Sequence, residues 1–236
     1  MSPVVIPTMD VELSLFESGV TRIVGCDEVG RGALAGPVAV GVTMISASVG
    51  PIPEGLRDSK LVSEPKRVAL APRCIDWVEF SAVGLASAAE IDEFGIIRAL
   101  GLAGARALSL LVEAGADLVG SLVILDGNHD YLSPAFGSAT VGVAALPSLE
   151  IVTRIKADRD CASVAAASVI AKVHRDSLMI GHSRHYDGYG WAGNKGYGSA
   201  EHMEAIERLG ATELHRHTWL KDRAEQSHPA GLLADA

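Results

Sequence analysis

Cysteine is scarce in this 236-residue chain: Cys26, Cys74 and Cys161 are widely spaced and form no CxxC pair. An odd, scattered set argues against both a disulfide framework and a zinc site. A reducing cytoplasm is its simplest home. No run of about 18 apolar residues occurs, so no membrane span is expected. The start of the chain lacks a basic segment followed by an apolar block, so no signal peptide is expected. Internal repeats and long linkers are also missing, which leaves one large domain or one domain with an appendage. What is there, 48% hydrophobic residues and 25 glycines, belongs to a globular protein with a sizeable core.

Positive charge is short as well: 20 Lys and Arg against 29 Asp and Glu leave a formal charge of −9. The deficit is uneven. Residues 1–150 hold 9 basic and 18 acidic side chains, whereas residues 151–223 hold 11 and 9, with six histidines besides. The balance is that of an acidic protein with uneven charge, or of a polyanion-binding face built mainly from the C-terminal third.

Period-2 and apolar runs predict strands at 21–26, 37–45, 77–85, 121–125 and 149–155. The short, Gly-rich connection at 29–36 predicts an antiparallel hairpin between the first two. Helices are expected briefly at 13–16, after the Ser63 and Pro65 start signals, and from Ser87, with Glu90 completing a capping box, to Gly115. Further helices are expected at 160–184 and 199–209. Residues 1–19 read as a loosely ordered arm and 224–236 as a flexible tail, leaving 20–223 as the folded unit.

One stretch organises the rest. Ile23-Val24-Gly25-Cys26 runs straight into Asp27-Glu28, and Gly30-Arg31-Gly32 follows. Two adjacent acids at the end of a buried strand need neutralising. A divalent cation with a taste for hard oxygen ligands would do it, and so would an ion pair with Arg31. Two other strands also run into acid, at Asp126 and Asp158. Asp126-Gly127-Asn128 is ordinary turn chemistry when taken alone. Four carboxylates meeting at one sheet edge favour a metal site, with room for two ions about 3.5–4 Å apart.

Small residues from 162 to 171 allow a helix to approach the sheet closely. Ser168 and Lys172 share one face of it; Lys172 is a phosphate anchor, a carboxylate partner or an exposed charge. Aromatic and Gly residues at 186–191 and 194–198, Tyr197 among them, suit either stacking on nucleic acid or plain packing. His215-Arg216-His217-Thr218-Trp219 is a weaker candidate for phosphate contact.

These pieces together resemble the ribonuclease HII family. The resemblance rests on Gly25 to Gly32, Asp58-Ser59-Lys60, Leu125-Asp126-Gly127, Lys156-Ala157-Asp158, Ala165 to Val173 with Arg175-Asp176, Lys195 to Gly198, and His215-Arg216, all in family order. It implies an α/β, RNase H-like fold: a mixed five-stranded sheet flanked by helices, with a helical C-terminal part. It further implies an endonuclease dependent on Mg²⁺ or Mn²⁺, with two ions during catalysis. Such an enzyme cuts the RNA strand of RNA–DNA hybrids and incises 5′ of single ribonucleotides embedded in duplex DNA. The ends left are 3′-hydroxyl and 5′-phosphate.

By the same resemblance Asp27, Glu28, Asp126 and Asp158 hold metal. Gly30-Arg31-Gly32 reads the ribose 2′-hydroxyl, and Tyr197 packs near the sugar at the RNA–DNA junction. Ser168 and Lys172 join the substrate-binding set from their shared helix face. A monomer without membrane attachment is expected. Val29, Arg159 and Trp219 depart from the family pattern, and none of them is one of the acids. The rivals are a ribonuclease HIII-like or junction-resolving nuclease, a metal-dependent phosphatase, and a nucleic-acid binder without activity.

Overall fold

The protein was analysed as a computed structural model, which describes residues 6–136 and 146–221. The sheet forms around β1 (Arg22–Val29). Its neighbours are β2 (Val38–Ser46) on one side and β4 (Leu122–Asp126) on the other, with β3 (Phe80–Ala86) and β5 (Glu150–Arg154) outermost. β2 runs antiparallel to β1 and β3, while β4 and β5 run parallel to β1. The sheet is therefore mixed and five-stranded, as expected, and the β1–β2 hairpin is antiparallel.

Alternation along β1 sends successive side chains to opposite faces. Val24 and Cys26 pack with Val40, Val42, Leu100 and Leu108 on one face, and Ile23 packs with Ile45, Ile124, Val164 and Val169 on the other. The first face is covered by α4 (Ile96–Glu113). The second is covered by α7 (Ala162–His182), with α2 (Glu64–Trp77) packed beside it. The small residues of α7 do what their size allows. A Cβ added to Gly25 would lie 2.4 Å from the Ser163 carbonyl carbon, and one on Gly41 would lie 2.6 Å from the Ala167 oxygen. β1 and α7 meet backbone to backbone.

Several boundaries differ from the sequence reading. The stretch read as a loose arm holds α1 (Asp10–Glu17), whose Glu12 is fully buried and accepts bonds from the Ser163 amide and hydroxyl at the start of α7. The helix expected from 87 to 115 is two: α3 (Ala88–Phe94), with the Ser87–Glu90 capping box in place, and α4. Gly95 separates them at φ +77°, a conformation that glycine adopts without strain. The helix expected from 160 splits into α6 (Ala157–Asp160) and α7 around an extended Cys161. α2 runs through Pro72 to Trp77, so the third strand starts at Phe80 rather than at 77.

The C-terminal part is helical. It contains α8 (Trp191–Asn194) and α9 (Ala200–Leu209), packed through Trp191, Tyr189 and Ala205 against Met179 of α7 and Ala35 of the hairpin loop. A four-residue helix, α5 (Ser133–Phe136), follows β4. The expected tail 224–236 lies outside the described residues. Among the described residues no helix is long and apolar enough to cross a membrane.

Candidate active site

Register assembles the site. β1 and β4 pair in parallel with Cys26 opposite Leu125. The next residue on each strand is an acid, Asp27 or Asp126, so the two emerge side by side. Carboxylate oxygens of Asp27, Glu28 and Asp126 all lie within 4.8 Å of one another. Asp158 arrives differently from the sequence reading: it sits on α6, beyond the end of β5, rather than on a strand. Its backbone N–H donates to Asp126 at 3.4 Å, and its carboxylate lies 3.7 Å from Lys60 Nζ.

Asp27, Glu28 and Asp158 hold their protons unusually well. Burial, then Glu28, Asp126 and Asp158, raise Asp27 well above the carboxylate range, and a hydrogen bond from Ser168 only partly offsets this. Burial also raises Glu28, against the pull of Arg31. Burial, Asp126 and Asp58 bring Asp158 to about 6. For Lys60 burial works against the charge, but Asp27 and Asp158 win and strengthen its hold on the proton.

Arg31 does pair with Glu28, at 3.6 Å, yet its side chain is half exposed, and the cluster remains short of positive charge. Hard oxygen donors, close spacing and unmet negative charge fit a divalent cation. Asp27, Glu28 and Asp126 are the residues that would hold it, with Asp158 beside them.

The turn after β1 faces solvent beside the acids and is held from the protein side. Gly30 has φ +83°, and a Cβ there would fall 2.0 Å from Arg175 Nε. Arg31 and Gly32 are exposed. Two fully buried arginines hold the loop from beneath. Arg216 donates to the carbonyls of Gly30 (2.6 Å), Arg31 (2.7 Å) and Gly36 (3.2 Å). Arg175 donates to those of Pro37, Lys195 and Ala35.

With the carbonyls bound below, the other side of the turn stays exposed. Sequence reasoning gave Arg175 no role of its own and offered Arg216 only as a weak phosphate contact, so it missed both as supports of the turn. Their signal was proximity to Gly-rich loops whose carbonyls need donors. It also left out Lys60, although Asp58-Ser59-Lys60 was visible as a motif.

Ser168 is buried, its Oγ lies 2.9 Å from Ser59 Oγ, and its single proton is shared between Ser59 and Asp27. Lys172 is 2.6 Å from Asp176, which also pairs with Arg67 at 3.5 Å. Of its sequence alternatives, carboxylate partner is the one the structure displays. Tyr197 is half-buried, with Lys172 Nζ 5.5 Å and Arg175 Cζ 5.4 Å from its ring centre. His215 and Arg216 are fully buried and bonded within the protein, so they are not placed to contact phosphate. Trp219 stacks 4.9 Å from the Arg216 guanidinium, and Arg159 lies on α6 beside Asp158.

The ribonuclease HII family model matches residues 24–222. A ribonuclease HII of Streptomyces avermitilis is 44% identical over 215 residues, 90% of this chain and 83% of that one. Another, of a Synechococcus strain, is 38% identical over 97% of this chain and 95% of its own. Among solved structures, the ribonuclease H2 of Pyrococcus horikoshii superposes with a TM-score of 0.64 at 24% identity, covering 89% of this chain and all of the other. Bst-RNase HIII in complex with Mn²⁺ gives 0.64 at 20% identity, covering 92% and 73%. These two share the fold. The match along nearly the whole described core, on top of a carboxylate cluster flanked by a Gly-Arg-Gly turn, places the chain in the ribonuclease HII family, the type 2 ribonuclease H endonucleases.

Proposed function

We propose that this ribonuclease H is metal-dependent and incises duplex DNA 5′ of a single embedded ribonucleotide as well as cutting the RNA strand of RNA–DNA hybrids, leaving 3′-hydroxyl and 5′-phosphate ends. The observation that carries the proposal is the clustering of Asp27, Glu28 and Asp126 within 4.8 Å beside the supported turn at Gly30-Arg31-Gly32. A divalent ion, Mg²⁺ or Mn²⁺ and two during catalysis, would supply the electrophilic charge for phosphodiester hydrolysis. The Mn²⁺ complex of a protein with this fold supports that assignment.

The chain's own residues do the rest. Asp27, Glu28, Asp126 and Asp158 provide the oxygen donors, and Ser168 orients Asp27. Lys60, tethered to Asp158, offers a cation to a phosphate at the rim. The turn meets the ribose 2′-hydroxyl, the group that distinguishes RNA from DNA at a single position. Tyr197 packs on the sugar, and Lys172, held by Asp176, sits beneath its ring. Residues 20–223 act as one catalytic unit, working as a cytoplasmic monomer.

The test is an end-labelled DNA duplex with one ribonucleotide, run beside an all-DNA control in Mg²⁺, Mn²⁺ or EDTA. Metal-dependent cutting of the ribonucleotide strand alone, on its 5′ side, is expected. Survival of the single ribonucleotide while a long hybrid is cut would remove the junction-reading role of the turn and of Tyr197. No cutting in any metal would leave a binding protein. Tyr197→Ala is expected to impair junction cleavage more than thermal stability, and the reverse would make Tyr197 a core residue.

A further inference from the structure

Beneath Tyr197 lies a hydrogen-bonded cluster that the chemistry above does not use. His202 and His215 are both fully buried, with their Nε2 atoms 3.2 Å apart. Their protons can be placed from the fixed donors around them. The Trp191 indole can only donate, and it reaches His202 Nε2 at 3.0 Å. His202 therefore carries its proton on Nδ1 and donates it to the Tyr197 carbonyl at 2.8 Å. The Thr212 amide donates to His215 Nδ1 at 2.9 Å, so His215 carries its proton on Nε2, where it shares the single Nε2 lone pair of His202 with the indole. Two neutral rings in defined tautomers thus lead to the backbone of Tyr197.

The far end of this chain is anchored where the turn is anchored. His215 bridges Ala35, and Arg216, the next residue, binds the carbonyls of Gly30 and Arg31. The Leu34 and Ala35 amides also donate to the carbonyl of Gly196, beside Tyr197. We propose that His202 and His215 are positioning residues for substrate: they set Tyr197 from the dipeptide that sets the Gly30-Arg31 turn, so that both reading elements meet one ribonucleotide in fixed register. The proposal rests on the reading of Tyr197 as a substrate contact.

Two polar variants of similar size separate this role from bulk packing. His202→Asn keeps an N–H at the Nδ1 position, whereas His202→Gln moves it to the Nε2 position and loses the Tyr197 carbonyl. With Tm and circular dichroism recorded for each, H202Q should raise KM for the single-ribonucleotide duplex by about tenfold, with kcat held within about twofold. H202N should stay within about twofold of the parent KM. In a Tyr197→Ala background, H202Q should add nothing.

Equal impairment of H202N and H202Q would overturn the proposal. So would an H202Q effect that persists undiminished beside Tyr197→Ala, since His202 would then act elsewhere. If Tyr197→Ala raises KM and H202Q does not, the positioning role falls alone. If Tyr197→Ala leaves KM unchanged, the reading of Tyr197 falls and the positioning role goes with it.

Discussion

At Asp126 the fold's register and the proposed chemistry meet in one side chain. It is the last residue of β4, and its Oδ1 accepts the backbone N–H of Asp158. An amide at this position keeps an acceptor for that bond and removes one negative donor from the cluster. Asp126→Asn is expected to lower cleavage by at least ~100-fold while circular dichroism and Tm stay at parent values; parental turnover by the folded variant would remove Asp126 from the reaction. Cation binding gives a second readout that needs no substrate. At 100 times Kd, Mg²⁺ or Mn²⁺ should stabilise the parent protein by about 2.7 kcal/mol, and the Asp126→Asn protein by much less. Differential scanning with and without EDTA measures both.

The elements around the site depend on buried donors more than on apolar contact. The turn after β1 rests on Arg216 and Arg175, and each guanidinium fans over three carbonyl groups. A lysine cannot reproduce that fork. Arg216→Lys should therefore cut activity on the ribonucleotide duplex by more than tenfold, with a smaller loss on long hybrids if the turn is the ribonucleotide reader. Gly30→Ala faces two penalties, a positive φ and an Arg175 that is too well held to retreat. A stability loss of about 2–3 kcal/mol is expected in urea titration.

These supports were the least legible part of the sequence. The strands were readable from their apolar runs, and Asp27 and Asp126 because two of those runs lead into acid, whereas Asp158 stands on α6 beyond the end of β5. The break at Gly95 was not readable, since Ile91, Phe94, Ile97 and Leu100 keep helical spacing across it and one glycine does not interrupt a pattern. The supporting role of Arg175 and Arg216 was not readable, and Arg216 looked at most like a phosphate contact, because nothing in a linear sequence shows which carbonyls lack a donor.

At the scale of the whole molecule, the C-terminal part is attached through groups that can titrate. Burial, then His202, lowers His215 from 6.5 to about 4. The ring is neutral in the folded protein, so below pH about 6.5 the unfolded chain takes up this proton more readily. The stability tied to His215 is present at neutral pH, declines as pH falls through 6.5, and is gone below about 4. The full range is worth about 3 kcal/mol. His215→Asn, which keeps an acceptor for the Thr212 amide, should flatten the fall in unfolding free energy between pH 7 and 4.5 relative to the parent. Equal slopes in the two proteins would detach His215 from the acid response.

The docking of α1 bears on how the chain can be trimmed. Glu12 supplies the acceptor for two donors at the head of α7, the helix that carries Ser168 and Lys172 and presses on β1 at Gly25. A protein begun at Val20 would keep every catalytic acid, yet it would open the end of its central helix to water. Purification handles belong before Met1, not in place of the first nineteen residues. Any shortened version that still cleaves should do so with a lowered melting temperature.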